Sequence, residues 1–226
     1  MKEGSTFNKF IGSINTKHVW WLNIGAEKVW AESHQYVLPQ ITYKSNARTV
    51  NRTEQLCLLL ASDNDIVIQR EKPSDALLYH LQGIGFRKPE IYVPESFDND
   101  EQCSISELIL RDEALLQKLR NQVSKENING VELAPYAITN FEDEISLKTG
   151  CKLIGASGDI AAWVNNKVNA RILAEELGLP VTEGYICYTG EEAIAAVDSL
   201  KNKPYISKIV LKEAYGASGK GMYVIG

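Results

Sequence analysis

Apolar residues along this chain follow two rhythms. Short unbroken runs lie between glycines and polar turns, and longer stretches space apolar residues three and four apart. "HVWWLNIG" (His18–Gly25) is a continuous apolar run closed by glycine. It predicts a strand buried on both faces, followed by a turn. "DIVIQ" (Asp65–Gln69) and "EIYVPE" (Glu90–Glu95) predict two more strands. Between them, Ser74 is a suitable N-cap, and Ala76, Leu77, Tyr79, His80 and Leu81 fit a short helix closed by Gly83. Short apolar strands alternating with helices point to an open α/β sheet.

The middle of the chain is more helical. "SISE" (Ser104–Glu107) has the capping-box pattern, and Leu108, Ile109, Leu115, Leu116 and Leu119 follow at helical spacing. "GVELAPYAIT" (Gly130–Thr139) predicts a strand leading to a loop, "FEDEISLKTG" (Phe141–Gly150) a helix, and "KLIGAS" (Lys152–Ser157) a return to the sheet. The character of the pattern then changes, which places a domain boundary near residue 150, within about ten residues. Beyond it come a short helix, a break near Asn165 and Asn166, and a stronger helix over about Lys167–Leu177, stopped by Gly178 and Pro180. "TEGYICY" (Thr182–Tyr188) predicts a strand, "TGEE" (Thr189–Glu192) a second capping box, and "SKIVLKEA" and "GMYVIG" two strands around a glycine loop.

Bulk properties narrow the function. The chain has 226 residues and a net charge of -5. That balance argues against a nucleic-acid binder, which would show a basic face, but leaves anionic small ligands open. No apolar run reaches the roughly 18 residues that span a membrane, and the N-terminus lacks a signal-peptide pattern, so a cytoplasmic protein is expected. Cys57, Cys103, Cys151 and Cys187 form no CxxC pair and read as reduced structural thiols. "NRT" at Asn51 would accept a glycan only in a secreted protein. His18, His34 and His80 have no metal-ligand spacing. "FDNDEQC" (Phe97–Cys103) has Cys103 where a calcium loop needs glycine. Gly25-Ala26-Glu27 follows the first strand, where open α/β sheets bind ligands, though a helix entry reads as well.

The glycine loop carries the chemistry. A Walker loop would need glycine at residue 214, which is Ala214, and Ser or Thr after Lys220, which is Gly221. It would also open a helix, whereas "MYVIG" reads as a strand. "GIGFRK" (Gly83–Lys88) lacks the third glycine of a dinucleotide fingerprint and lies after a helix, the wrong order. The remaining readings are a plain glycine hairpin, or a hairpin whose backbone N–H groups cover phosphates, with Gly216, Gly219 and Gly221 allowing close approach and Lys212 supplying charge. Upstream, Lys167 opens a helix. A cation there opposes the helix dipole and asks for an anionic partner, whether a ligand or a nearby carboxylate.

Taken together, "LIGAS" (Leu153–Ser157), Lys167, Arg171, "LAEELGLPV" (Leu173–Val181), Lys212 and "GASGKG" (Gly216–Gly221) resemble the ATP-grasp superfamily over residues 151–226. Glu213 stands where proline is frequent in the family, and Asn166 where aspartate is frequent. The resemblance implies a Rossmann-like pre-ATP-grasp domain over 1–150, then the first part of an ATP-grasp α+β domain with part of its lid over 151–226. "WLNIGAEKVW" (Trp21–Trp30) is most similar to natural-product ligases, including peptide-forming ligases and an enzyme that loads glutamate onto an acyl carrier protein.

In that superfamily a carboxylate attacks the γ-phosphate of ATP, and an amine or thiol then displaces phosphate from the acyl phosphate. The resemblance implies that Lys167 and Lys212 contact the α/β-phosphate region, with Lys212 also near adenine. Gly216, Ala217, Ser218, Gly219, Lys220 and Gly221 would cover the β/γ-phosphates. Arg171 is expected to pair with an acidic neighbour through i,i+4 geometry. Mg2+ would bridge the phosphates, with ligands downstream of Gly226, so this chain alone is expected not to ligate. The implied partners are a small carboxylate such as an amino acid and an acyl carrier protein; a homodimer is compatible, and neither nucleic acid nor membrane is implied. The alternative is a non-catalytic nucleotide-binding or assembly module on the same scaffold.

Overall fold

The computed structural model describes residues 16–32, 51–95, 103–125, 130–216 and 221–226. Five parallel strands form the larger sheet: β1 (Lys17–Trp21), β2 (Ile66–Ile68), β3 (Glu90–Tyr92), β4 (Val131–Pro135) and β5 (Lys152–Leu153), in the order β3-β2-β1-β4-β5. β1 is central, with Val19 opposite Ile66 on one edge and Leu133 on the other. Alternate residues of β1 and β2 enter two different cores, as a period of two requires. Val19, Trp21, Ile66 and Ile68 pack with Ile105, Leu108, Ile109, Leu116 and Leu119. Trp20, Leu22 and Val67 face Cys57, Leu58 and Leu81. Both faces of the sheet are therefore covered.

The first core rests on helices α3 (Ile105–Arg111), α4 (Glu113–Lys125) and α5 (Asn140–Thr149). The second rests on a 3-10 helix (Thr53–Leu59) and on α2 (Asp75–Gly83). Helix α1 (Ala26–Glu32) follows β1 across Gly25, which has φ +97. The capping box at Ser104 forms as the sequence predicts, a further one forms at Thr139, and Gly150 ends α5 in the left-handed conformation. The apolar series from Leu108 to Leu119 does not form one helix. It breaks at buried Asp112, whose carboxylate accepts from the Leu115 N–H at 2.8 Å and the Glu95 N–H at 2.8 Å. An aspartate that caps the next helix is more stable there than one inside a continuous helix. α2 runs through Gly83, and the positive φ (+95) falls at Gly85.

The chain divides into two compact units. Residues 1–26 and 43–159 form one, and residues 27–42 and 160–226 form the other. The second unit contains α7 (Lys167–Glu176), α8 (Gly190–Lys201) and an antiparallel pair, β6 (Ile209–Lys212) and β7 (Met222–Ile225); α6 (Gly158–Asn165) leads into it. Thr182–Tyr188, expected as a strand, forms none. A strand needs a partner for its backbone, and here the carbonyls of Thr182 and Gly184 accept from the Arg171 guanidinium at 2.9 and 3.1 Å. The box expected at Thr189 forms by half. Its hydroxyl accepts from the Glu192 N–H, while the Glu192 carboxylate accepts from the Tyr188 N–H instead of closing on Thr189.

At the amino-terminal edge of the sheet, buried Asp65 ties β1 to β2. It accepts from the N–H groups of His18 at 2.9 Å and Ser62 at 2.7 Å, and from the Trp20 indole at 3.1 Å. Burial pushes its carboxyl up, but hydrogen bonds from the His18 side chain and these N–H groups outweigh burial and hold it below the usual aspartate range. A depressed carboxylate contributes stability above its unfolded value and loses it as pH falls through the folded one. We expect stability to hold from neutrality to about pH 4 and to fall below it. Denaturant midpoints measured against pH should show that loss, and Asp65→Asn should flatten the acid limb.

Burial differs sharply between the units. Among the described residues of the second unit, only Asn166, Leu200 and Tyr215 are buried. Amides of β1, β2 and β4 should therefore exchange with solvent at least about a hundredfold more slowly than those of α7 and α8. Equal protection in native-state hydrogen exchange would contradict this.

Candidate functional site

The residues singled out around the glycine loop meet in the second unit. Asn166 caps α7, its Oδ1 accepting from the Val168 N–H at 2.9 Å and the Asn169 N–H at 3.4 Å. Asparagine thus does locally what aspartate would do as a cap. Lys167 is fixed at both ends. Its backbone N–H donates to the Ala214 carbonyl at 2.9 Å, and its Nζ to the Gly216 carbonyl at 2.8 Å. The ammonium is held by a carbonyl at the base of the loop and stays exposed.

Lys212 ends β6, opposite Met222 of β7. It is exposed and makes no ion pair among the described residues. The Glu213 N–H donates to the Gly221 carbonyl at 2.8 Å and closes the hairpin base. Gly221 has φ +65, and a Cβ there would collide with the Glu213 carboxylate. The Glu213 carboxylate can swing aside, so it is the positive φ that favours glycine at residue 221. Gly216 has φ +152. Ala217, Ser218, Gly219 and Lys220 lie outside the described residues, as do His34 and most of Phe97–Cys103. Tyr215 is buried and meets Trp30, ring centroids 6.5 Å apart. Two exposed ammonium groups thus stand beside the base of a glycine-containing hairpin, an arrangement suited to an anion.

Arg171 is used structurally. Besides its two carbonyl contacts, its Nε pairs with Glu175 at 2.9 Å, the expected i,i+4 geometry. Burial raises the thiol pKa of Cys57 to about 12 and pushes those of Cys151 and Cys187 up. These three are poor nucleophiles. Among the described residues no group of three or more His, Cys, Asp or Glu could hold a metal ion.

In the first unit, the carboxyl edge of the sheet has its own polar structure. The sheet order reverses between β1 and β4, where open α/β sheets leave a crevice. Here that place is bridged by buried Asn23. Its amide donates to the Ala137 carbonyl at 2.7 Å and to Glu142 at 3.0 Å, and its oxygen accepts from the Ala137 N–H at 2.9 Å. The second oxygen of fully buried Glu142 takes the Thr139 N–H at 2.7 Å and its hydroxyl at 2.6 Å.

Residues 54–151, the greater part of the first unit, match the Pre ATP-grasp domain family. The chain carries a pre-ATP-grasp domain. Over 216 residues, 94% of its length, it is 27% identical to the [butirosin acyl-carrier protein]–L-glutamate ligase of Niallia circulans. The similarity extends well past the pre-ATP-grasp domain, in accord with the resemblance carried by residues 151–226. The chain spans 44% of that relative, less than half its length.

The sequence reading did not single out Asn23 and Glu142, which hold the switch point of the pre-ATP-grasp domain closed. Glu142 had a signal as the fourth residue of a Thr139-x-x-Glu capping box. Asn23, within an apolar run, had only its polarity. Removing it leaves the Glu142 carboxylate and the Ala137 amide and carbonyl short of partners. Asn23→Ala should cost about 2–4 kcal/mol, read from urea unfolding. A cost under about 0.5 kcal/mol would show that the bridge contributes little.

Proposed function

We propose that this chain is the nucleotide-gripping N-terminal portion of an ATP-dependent carboxylate ligase. In this reading it activates an amino acid or other carboxylate for attack by an amine or by the thiol of an acyl carrier protein, in natural-product assembly. The observation that carries the reading is the seating of Lys167 on the base of the β6–β7 hairpin that also bears Lys212. The pre-ATP-grasp domain preceding it and the glutamate-loading relative support the same reading.

ATP would enter as a substrate. A carboxylate oxygen attacks the γ-phosphorus, the bond to the β-phosphate oxygen breaks, and ADP leaves. The acceptor then adds to the acyl carbon and expels phosphate. The part played by this chain is positioning and charge neutralisation, which dominate phosphoryl transfer. Lys167 and Lys212 would meet the phosphates as charged donors. The Gly216–Gly221 segment, with Ala217, Ser218, Gly219 and Lys220 between, would cover them with backbone N–H groups. Magnesium belongs to the same reading, but the described residues offer no cluster to bind it, and no step is assigned to them through the metal.

Nucleotide binding is the direct test. Mg-ATP should raise the melting temperature in proportion to ligand concentration over Kd. Lys167→Ala and Lys212→Ala should each weaken that binding roughly tenfold or more. In the protein at its natural length, hydroxylamine should trap an acyl hydroxamate that depends on ATP and glutamate. Nucleotide binding with no trapped product would favour the assembly-module alternative, and no nucleotide binding would overturn both.

A further inference from the structure

Past Glu213, the chain leaving β6 runs through Ala214, Tyr215 and Gly216. All three are held, and from two different helices. The Ala214 carbonyl accepts from the backbone N–H of Lys167 at 2.9 Å, and the Gly216 carbonyl from its ammonium at 2.8 Å. Tyr215, between them, turns its ring to Trp30 of α1, with centroids 6.5 Å apart and planes tilted by 41°. That separation and tilt lie within the range aromatic pairs prefer. A tryptophan far upstream thus meets the one residue that the two Lys167 bonds straddle.

The packing around this seat is thin. Among the described residues of the second unit only Asn166, Leu200 and Tyr215 are buried. Asn166 caps α7 and Leu200 belongs to α8, so Tyr215 is the buried residue of the hairpin side. With few apolar contacts to share the task, a ring pair carries much of what fixes the backbone there. An exposed lysine does so poorly by itself, since its stem is flexible and water competes for its ammonium. Lys212 ends β6 two residues before Ala214. The seat of residues 214–216 therefore also sets where the Lys212 stem begins relative to that of Lys167.

We infer that Trp30 is a positioning residue for the phosphate grip. By holding Tyr215, it seats the Ala214 and Gly216 carbonyls on Lys167 and fixes the spacing from which Lys167 and Lys212 reach a phosphate. Trp30 acts through Tyr215 and Lys167 and is assigned no contact with the nucleotide. This deepens the function proposed above and rests on it for the nucleotide alone, because the seating belongs to the ligand-free chain.

Native-state hydrogen exchange of the ligand-free protein reads the seat through two amides: that of Lys167, which donates to Ala214, and that of Glu213, which donates to Gly221. Trp30→Ala should lower their protection roughly threefold to tenfold, the range an aromatic pair contributes, and leave the amides of α8 unchanged. Trp30→Phe keeps a ring opposite Tyr215 and should restore protection to within about twofold of the wild type. Unchanged protection at Lys167 and Glu213 in Trp30→Ala would overturn the proposal. An equal loss throughout α8 would overturn it too, by making Trp30 a general packing residue. In the protein at its natural length, Trp30→Ala should weaken Mg-ATP binding by a similar factor. In a Lys167→Ala background it should add little, because both changes act on one contact. Fully additive losses would refute the route through Lys167. A protein that binds no nucleotide would defeat the ligase reading alone, and the exchange measurements would then decide the role of Trp30 by themselves.

Discussion

A central parallel strand with neighbours on both edges and packed layers on both faces has no room for a solvated side chain. β1 lives under that constraint, and the first unit is arranged around it. Val19 and Trp21 fill one core while Trp20 and Leu22 face the other. Polar groups are confined to the strand's two ends, where each must find a partner. Asp65 serves the amino-terminal end and Asn23 the carboxyl end. Even the Trp21 indole N–H is satisfied, by the Ser106 hydroxyl at 3.1 Å. The position of the helices follows, because α3 and α4 must present Ile105, Ile109, Leu116 and Leu119 to the face that Trp21 occupies.

What could be read from the sequence depended on how local the determining interaction was. Strand β1 announced itself as an unbroken apolar run, and α5 by the Phe141–Gly150 pattern and its stop at Gly150, all within a few residues. The break at Asp112 was hidden, since one of its two capping bonds reaches Glu95, outside either helix. Thr182–Tyr188 had the composition of a strand, but its fate was decided by Arg171, a residue in the preceding helix. The site behaved similarly. The types and spacing of Lys167 and Lys212 were visible, while the carbonyl that holds Lys167 in place was not, because it belongs to a residue nearly fifty positions away.

The two units use polarity differently. In the first, buried polar groups are bonded to one another or gathered at strand ends, and the sheet is rigid by pairing. In the second, cations stand at the surface near a hairpin whose base is closed by the Glu213 and Gly221 backbones. A site that takes a highly charged, hydrated ligand benefits from groups that start solvated, since less desolvation is needed before contact is made. The exposed ammonium groups of Lys167 and Lys212 suit that task better than buried ones would.

The start of α6 carries a lesson about glycine patterns. A Cβ on Gly158 would lie 2.6 Å from the Thr139 carbonyl carbon and 2.7 Å from the Asn140 nitrogen, and the Gly158 N–H already donates to Asp143 at 2.7 Å. Gly155, three residues earlier, has φ +133 and no space beside Ile138. Read as letters, "LIGASGD" passes for an anion-binding turn at a helix start. In space the anion is already supplied by the chain itself, and the missing side chains are filled by the start of the neighbouring helix. Glycine at 155 and 158 marks a joint between two parts of one backbone, so a substitution there would be felt in folding long before it was felt at any ligand.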